Sequence, residues 1–230
     1  MFTNMCTHAN SVYRRRMNAR PILSTMQCGG DRRNIYIIGA QSTGKTTLLN
    51  ALRRHFSHAG TSDDPEPQFI EETARLVFKQ KGFTFAAIDT QSDFDKYLEI
   101  QQAILRTQLE AEDEALRKGK WFVSDRSGLD CLIYAAKYVG TKCAEELSRM
   151  PELERLKTRM REGRIIVCEP VAVWLEDDGS GLRPIPEHAE QWFSVHGEFC
   201  ELLDGLGWKY EVLPSRMTDL DERVAFALSA

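Results

Sequence analysis

The 230-residue chain carries 30 basic and 34 acidic side chains, and 42% of its residues are hydrophobic. A chain of this length and composition can bury one substantial core, so we expect a single elaborated domain. Residues 1–30 contain four arginines and no acid, which leaves 26 basic against 34 acidic side chains in the remainder. That acidic remainder is a poor candidate for general nucleic-acid binding.

Cysteine spacing and hydropathy restrict the compartment and the cofactors. The six cysteines lie far apart and show no CxxC or Cys/His ligand spacing, which argues against a zinc site and against a dense disulfide framework. The sequence contains no run of about 18 apolar residues and no apolar secretory signal. We therefore expect a soluble, intracellular and most simply cytoplasmic protein.

The first segment along the chain, residues 1–32, is rich in Arg, Ser, Thr and Asn and shows no helical or strand periodicity. We expect a disordered basic leader over residues 1–32, followed by the folded domain over residues 33–230. The acid-free composition of residues 1–30 also fits a mitochondrial targeting segment. A membrane-surface element is a third interpretation.

From residue 34 onwards, short apolar runs alternate with long amphipathic stretches, a pattern typical of βαβ units around a mostly parallel sheet. The apolar runs are continuous, which indicates strands that are buried on both faces. The predicted strands are residues 35–38, 68–70, 121–124, 165–168 and 210–213. Helices are predicted near 48–56 and 74–78 and over 93–118, 129–139, 143–162, 186–206 and 219–228, with loops over 57–67 and 176–184.

The first predicted strand leads into GAQSTGKT, residues 39–46, which matches GxxxxGK[ST] and precedes a predicted helix. Glycines let successive backbone N–H groups converge on phosphate oxygens, and the helix N-terminus adds a partial positive charge. The pattern predicts a phosphate-binding loop for ATP. The predicted nucleotide-binding residues are Gly39, Ala40, Gln41, Ser42, Thr43, Gly44, Lys45, Thr46 and Thr47.

Within this loop the lysine and the first threonine have separate predicted roles. Lys45 would reach the β and γ phosphates, and the Thr46 hydroxyl would ligate Mg²⁺. A guanine-specific NKxD element is absent from the sequence. We therefore expect ATP rather than GTP as the nucleotide.

The third predicted strand ends in WFVSDRSGLD, residues 121–130. Ligands gather at the carboxyl ends of strands in open α/β sheets, so Asp125 is predicted to hold Mg²⁺ and Arg126 to neutralise charge on a transferred phosphoryl group. The alternative is purely structural, because Asp125, Ser127 or Asp130 could each cap the following helix.

The second predicted strand stops in the same way at FIEETARLVF, residues 69–78. Glu71 or Glu72 could act as a general base on an acceptor hydroxyl while Arg75 meets a phosphate or another anion. An ordinary surface ion-pair cluster is the alternative, because Arg75 lies three and four residues beyond the acids. The stretch LEDDGSGLRPIP, residues 175–186, reads either as a solvated turn or as a lid that brings Arg183 to the phosphates, positioned by Asp177 or Asp178.

Four motifs together resemble the P-loop kinase-like ATPase family that includes the ribosylnicotinamide kinase domain of bacterial NadR proteins and the Ttd14-type animal proteins. They are GAQSTGKTTL (39–48), IEETAR (70–75), DRSGLDCLIYA (125–135) and LEDDGSGLRP (175–184). The resemblance covers roughly residues 33–215. It implies an α/β, three-layer P-loop NTPase fold of nucleoside-kinase type, with about five mostly parallel strands and helices on both faces.

The resemblance also implies positions for the chemistry. ATP would lie on residues 39–47, Asp125 would be the Mg²⁺ ligand or catalytic acid, and Arg126 and Arg183 would face the phosphates. Residues 71–75 would lie on the acceptor side. NadR members phosphorylate a nucleoside, whereas Ttd14-type members are regarded as nucleotide-binding regulators.

Two functional hypotheses follow. The first is a Mg²⁺- and ATP-dependent kinase with a small nucleoside-like acceptor, catalysed by Lys45, Asp125, Arg126, Glu71, Arg75 and Arg183. The second is an ATP- or GTP-dependent switch in which nucleotide orders the lid and a partner protein reads that order.

Overall fold

A computed structural model describes residues 33–58, 66–83, 93–175 and 189–229. They contain a five-stranded sheet in the order β2-β3-β1-β4-β5, and every neighbouring pair is parallel. The strands are β1 Ile35–Ile38, β2 Gln68–Ile70, β3 Phe122–Asp125, β4 Arg164–Cys168 and β5 Glu211–Leu213. The predicted number of strands and their parallel direction are confirmed.

Helices connect the strands and cover the sheet. In chain order they are α1 Lys45–His58, α2 Thr73–Lys81, α3 Phe94–Arg117, α4 Gly128–Tyr138, α5 Thr141–Ser148, α6 Pro151–Glu162, α7 Ala189–Gly205 and α8 Leu220–Leu228. A short 3₁₀ turn, Ala172–Trp174, follows β4. Within the described ranges, no helix combines the length and the apolarity that a membrane span requires.

The central strand β1 shows how the sheet is buried on both faces. Its alternate side chains Tyr36 and Ile38 pack in one core with Trp192 of α7, while Ile35 and Ile37 pack in a second core with α1 and α8. Residues of a strand alternate between faces, so a continuous apolar run requires a layer on each side. The result is the predicted three-layer α/β architecture.

A third apolar cluster lies among the helices. It joins α2 through α6 around side chains that include Val77, Tyr97, Leu105, Cys143 and Leu153. Because of this packing, α2, α3 and the start of α4 lie against one another, and together they form one side of the site described below.

The register of the strands brings their carboxyl ends together. Ile37 of β1 pairs with Asp125 at the end of β3, and the backbone N–H of Arg126 donates to the Ile37 carbonyl over 2.9 Å. Cys168, the last residue of β4, pairs with Leu213. The predicted third strand begins and ends one residue later than expected, which makes Asp125 its final residue.

The predicted helix over residues 143–162 is wrong, because the structure divides this segment into α5 and α6. Pro151 is the first residue of α6, and a proline cannot continue a helix from the preceding turn because it lacks a backbone N–H. The expectations for residues 1–32 and for the lid lie outside the described residues, as does most of the loop predicted over 57–67.

Candidate functional site

The phosphate loop, residues 39–46, runs from the end of β1 into α1. Gly39 has φ +130°, and a Cβ at this position would lie 2.7 Å from the carbonyl oxygen of Cys168. Only glycine combines that backbone angle with so close an approach to β4. The loop therefore turns tightly against the neighbouring strand.

Lys45 begins α1 and folds back over the loop. Its Nζ donates to the Ala40 carbonyl and, over 3.2 Å, to the Thr43 hydroxyl, and the residue is only 4% exposed. Burial, reinforced by the positive charge of Arg126, lowers the pKa of Lys45 to about 8. A triphosphate would supply the negative charge that this buried ammonium group lacks.

Two side chains from the second half of the chain fix the loop from outside. Trp192 of α7 donates from Nε1 to the Gln41 carbonyl over 2.6 Å, and Arg223 of α8 donates from Nη2 to the Thr43 carbonyl over 3.0 Å. The Arg223 guanidinium also lies 5.0 Å from the ring centre of Trp174. Sequence reasoning missed these three residues, because no local motif marks them.

The side-chain oxygens of Thr46 and Asp125 meet at the end of β3. The Thr46 hydroxyl donates to Oδ2 of Asp125 over 2.5 Å, and Oδ1 of Asp125 is buried without a hydrogen-bond partner among the described residues. Burial raises the pKa of Asp125, against the opposing charge of Lys45. An unpaired carboxylate oxygen beside a threonine hydroxyl fits Mg²⁺, which favours one or two protein oxygens completed by phosphates and water.

The described residues contain no cluster of three or more His, Cys, Asp or Glu side chains that could hold a metal by themselves. A cation at Thr46 and Asp125 would therefore need ligands from a bound nucleotide. This is the arrangement expected for a metal that arrives with its phosphates.

Arg126 follows Asp125 in a left-handed backbone conformation, φ 84°. This conformation turns its side chain back to the sheet edge, where Nε lies 2.6 Å from Oε1 of Glu72 and Nη1 lies 2.9 Å from Oδ1 of Asp130. Burial opposes the charge of Arg126, but Glu72, Tyr134 and Asp130 together hold its pKa above the ordinary value. The arginine is thus a permanent cation held by two carboxylates.

The structure shows which of Asp125, Ser127 and Asp130 cap α4. Ser127 is the N-cap, its hydroxyl accepts from the Leu129 N–H, and Asp130 completes a capping box by accepting from the Ser127 N–H over 2.9 Å. Asp125 takes no part in the cap. Asp130 has two roles, because its other oxygen binds Arg126.

The two acids at the end of β2 point in different directions. Glu71 is exposed and binds Arg53 over 3.1 Å. Glu72 is buried between two guanidinium groups, with Arg126 on Oε1 and Arg75 on Oε2, the latter over 2.7 Å. Of the two acids that the sequence left as alternatives, Glu72 is therefore the one that faces the site.

A pocket, here called the helical pocket, opens beside the phosphate loop between α2, α3 and the start of α4. The space inside it amounts to about 610 Å³ when the solvent-filled part at its opening is included. Its polar end contains Gln41 of the loop together with Glu72, Arg126 and Asp130. The rest of the lining is mostly aromatic and aliphatic, including Phe78, Tyr97, Ile104 and Tyr134.

Gln108 of α3 connects α2 to the end of β3. Its Oε1 accepts from the hydroxyl of Thr73, the residue after Glu72, and its Nε2 donates to the hydroxyl of Ser124, the residue before Asp125. The same Nε2 donates to Glu112 over 2.9 Å. Because Gln108 lies inside a helix and belongs to no motif, these contacts could not be predicted from the sequence.

The predicted residues can now be located. Lys45, Thr46, Asp125 and Arg126 meet at one end of the sheet, and Arg75 reaches the same place through Glu72. Glu71 and the side chain of Thr47 are exposed. Arg183, Asp177 and Asp178 lie outside the described residues. The roles of all these residues remain predictions.

A parallel five-stranded sheet with a GxxxxGKT loop at its carboxyl edge, beside the paired side chains of Thr46 and Asp125, defines a P-loop nucleotide-binding protein. The family described as AAA domain (AAA_28) matches residues 34–223. The chain therefore belongs to this AAA domain family, which confirms the resemblance derived from the motifs.

Solved structures share the fold. The crystal structure of NadR protein in complex with NR matches with a TM-score of 0.59 and 21% sequence identity, over 82% of this chain and 47% of that chain. This chain therefore spans about half the length of NadR. Deoxyadenosine kinase from M. mycoides with bound dATP matches with a TM-score of 0.56 and 12% identity, over 85% of this chain and 96% of that chain. Among curated proteins, none matches significantly.

Proposed function

We propose that the chain is an ATP-dependent kinase that phosphorylates a hydroxyl group of a nucleoside-like acceptor. The observation that carries the proposal is the position of Glu72, which lies where the helical pocket meets the phosphate loop. Gln41 lines the pocket and belongs to the phosphate loop, so an acceptor in the pocket would lie next to the phosphates of bound ATP. The fold shared with deoxyadenosine kinase and with NadR bound to NR supports this class of acceptor.

Glu72 would act as the general base. Glu72 lines the pocket and contacts Arg126 and Arg75, and its carboxylate is a group that can take the proton of an acceptor hydroxyl. The hydroxyl oxygen then forms a bond to the γ phosphorus, the bond to the β-γ bridging oxygen breaks, and ADP leaves. The proton passes to Glu72.

The cations around the loop would stabilise the transferred group. Lys45 and Arg126 both lie at the same sheet edge, where developing negative charge on the phosphoryl oxygens would be met without reorganisation. The buried ion pairs of Arg126 hold its guanidinium in one orientation. Thr46 and Asp125 would hold Mg²⁺, which neutralises charge on the β and γ phosphates when bound.

The direct test is incubation of the protein and Mg²⁺ with γ-labelled ATP and a panel of nucleosides that includes nicotinamide riboside. We expect a labelled monophosphate product with at least one acceptor and none with the Lys45→Ala variant. ATP binding without transfer to any acceptor would overturn the kinase and favour the nucleotide-dependent switch.

A further inference from the structure

Two separate polar connections join the chain at the ends of β2 and β3. At the polar end of the helical pocket, Glu72 pairs with Arg126 over 2.6 Å. Outside the pocket lining, the amide of Gln108 joins Thr73 to Ser124 through hydrogen bonds of 3.2 and 3.0 Å. One contact would let the two chain segments pivot about it, whereas two contacts also fix their relative orientation.

The Gln108 amide is enclosed, and both of its polar atoms are bonded. The residue is 1% exposed, and its partners Ser124 and Glu112 are fully buried. Its oxygen accepts from the Thr73 hydroxyl, while its nitrogen donates to Ser124 and, over 2.9 Å, to Glu112. An amide nitrogen carries two hydrogens, so these two bonds use both of them. Buried polar networks that are fully satisfied in this way rigidify the groups that they connect.

The bond to Glu112 anchors Gln108 to the body of the domain. Glu112 lies one turn further along α3 and accepts from the Tyr36 hydroxyl of β1 over 3.2 Å. It also accepts from Nη1 of Arg159, on α6, over 2.8 Å. The amide of Gln108 therefore cannot rotate without losing its bond to a carboxylate that two other elements hold in place.

Hydrogen bonds contribute direction here, which apolar packing does not. Apolar side chains of the same shape could fill this space at little cost in stability, because replacing both partners of a buried hydrogen bond is often nearly neutral. The amide instead holds the Thr73 and Ser124 hydroxyls at defined distances and angles. Thr73 directly follows Glu72, and Ser124 directly precedes Asp125. The bridge thus ends beside both carboxylates of the proposed reaction.

We propose that Gln108 is a positioning residue that sets the Glu72 carboxylate relative to the Asp125 carboxylate. This inference rests on the proposed function, because it concerns the alignment of the base with the group that would hold Mg²⁺ on the phosphates. Reacting atoms must lie about 3–3.5 Å apart, and a misplacement of about 1 Å lowers a rate by about 100-fold. Since Gln108 does not line the pocket, its removal should affect the rate more than acceptor binding.

Steady-state kinetics test this expectation with the nucleoside that the wild-type protein phosphorylates fastest. Gln108→Leu should lower kcat by about 10- to 100-fold and change the KM of the acceptor by less than about threefold. A side chain that only supports packing would not produce this separation of kcat from KM. An unchanged kcat, or a loss confined to KM, would overturn the inference.

Two control variants accompany this measurement. Gln102→Leu makes the same change on the same helix, at a residue that does not line the pocket, and should keep the wild-type kcat and KM. Leu147→Ala removes a fully buried side chain of α5 that also lies outside the pocket lining. It should lower the free energy of unfolding without changing kcat, which separates lost alignment from lost stability.

Calorimetry of ATP binding, with Mg²⁺ and with EDTA, tests the inference without turnover. Loss of the bond to Ser124 frees the end of β3, so the factor by which Mg²⁺ tightens ATP binding should fall by about 3- to 10-fold in Gln108→Leu. The Kd in EDTA should stay at the wild-type value, because the contacts of the phosphate loop are unchanged. Ser124→Ala removes one hydroxyl only and should give the same result, including where Gln108→Leu does not fold. An equal effect of Mg²⁺ in the wild-type protein and the variants would overturn the inference.

The two measurements distinguish this inference from the proposed function. Absence of transfer to every nucleoside overturns the kinase, and the magnesium measurement then decides the role of Gln108 by itself. Transfer by the wild-type protein, with kcat unchanged in Gln108→Leu, overturns the inference and leaves the kinase in place.

Discussion

Arg126 and Glu72 form a buried ion pair of 2.6 Å that joins the carboxyl ends of β3 and β2. The pair fixes the Glu72 carboxylate at the polar end of the helical pocket, whereas its neighbour Glu71 is exposed. Glu71 and Glu72 are adjacent acids, but they differ in side-chain exposure and in the arginine that each contacts. This difference makes the general base testable by a matched pair of variants.

Glu72→Gln should lower kcat by about 10²- to 10⁴-fold, because the amide cannot take the acceptor proton. Glu71→Gln should change kcat by less than about twofold, because it removes only an exposed ion pair with Arg53. Steady-state kinetics with the best acceptor measure both effects. Equal losses in the two variants would contradict the assignment of Glu72.

Nucleotide affinity should depend on pH through Lys45. The pKa of this lysine in the free protein is about 8, and a triphosphate binds the protonated form. Above pH 8 the protein must take up a proton to bind, so the Kd of ATP should rise by up to about tenfold per pH unit. Below pH 7 this contribution should vanish, because Lys45 is already charged.

Calorimetry between pH 6 and pH 10 measures that dependence. In Lys45→Arg the positive charge persists throughout the range, so any remaining affinity should show a flatter profile. A wild-type profile that is flat across pH 8 would mean that the lysine is charged in the free protein at every pH tested.

Arg223→Met should weaken both the fold and nucleotide binding. The substitution leaves the Thr43 carbonyl without its donor and should reduce the free energy of unfolding by about 1–3 kcal/mol. The Kd of ATP should rise because the loop is less firmly held. Arg161→Met, at an exposed position on α6, is the control for a lost surface arginine. If Arg223→Met is destabilised but binds ATP with wild-type affinity, the Arg223–Thr43 hydrogen bond does not contribute to nucleotide binding.

Glu112 should give stability a pH dependence of its own. Burial raises its pKa above the ordinary 4.5, despite donors from Gln108, Arg159 and Tyr36. The folded state therefore binds more protons than the unfolded chain above pH 4.5. The stability associated with protonated Glu112 is complete below pH 4.5 and is lost as pH rises through the folded pKa.

Glu112→Gln removes this ionisation and keeps one acceptor oxygen for the donors around it. The free energy of unfolding of the variant, minus that of the wild-type chain, should therefore increase as pH rises from 4.5. Urea unfolding at intervals between pH 4.5 and pH 8 measures the difference. A difference that is constant or decreases would show that Arg159 dominates and keeps Glu112 ionised.

The strands were predictable because each is a short, continuous apolar run, and β1 and β2 begin and end at the predicted residues. The phosphate loop was predictable because its chemistry requires particular residues at fixed spacing. The division between α5 and α6 was missed although Pro151 marks it, since the apolar period continues across the break. Local sequence signals therefore predicted most of the strands and helices, together with the phosphate-loop part of the candidate site.

The rest of the site depends on contacts between distant residues. The sequence around Gln108 does not show that its side chain joins two elements, because the contacts arise only when α3 packs against α2 and β3. Likewise, the choice between Glu71 and Glu72 depends on which acid faces Arg126, 54 residues later. A single sequence shows neither which residues become neighbours nor which polar groups are left unpaired.

Two of the hydrogen bonds to the phosphate loop come from side chains that lie 151 and 180 residues further along the chain. During synthesis on the ribosome, residues 39–46 emerge long before Trp192 and Arg223 exist. A nascent chain therefore carries the complete GxxxxGKT motif without the groups that shape it. Nucleotide should therefore bind and stabilise the complete folded protein more strongly than the unfinished nascent chain.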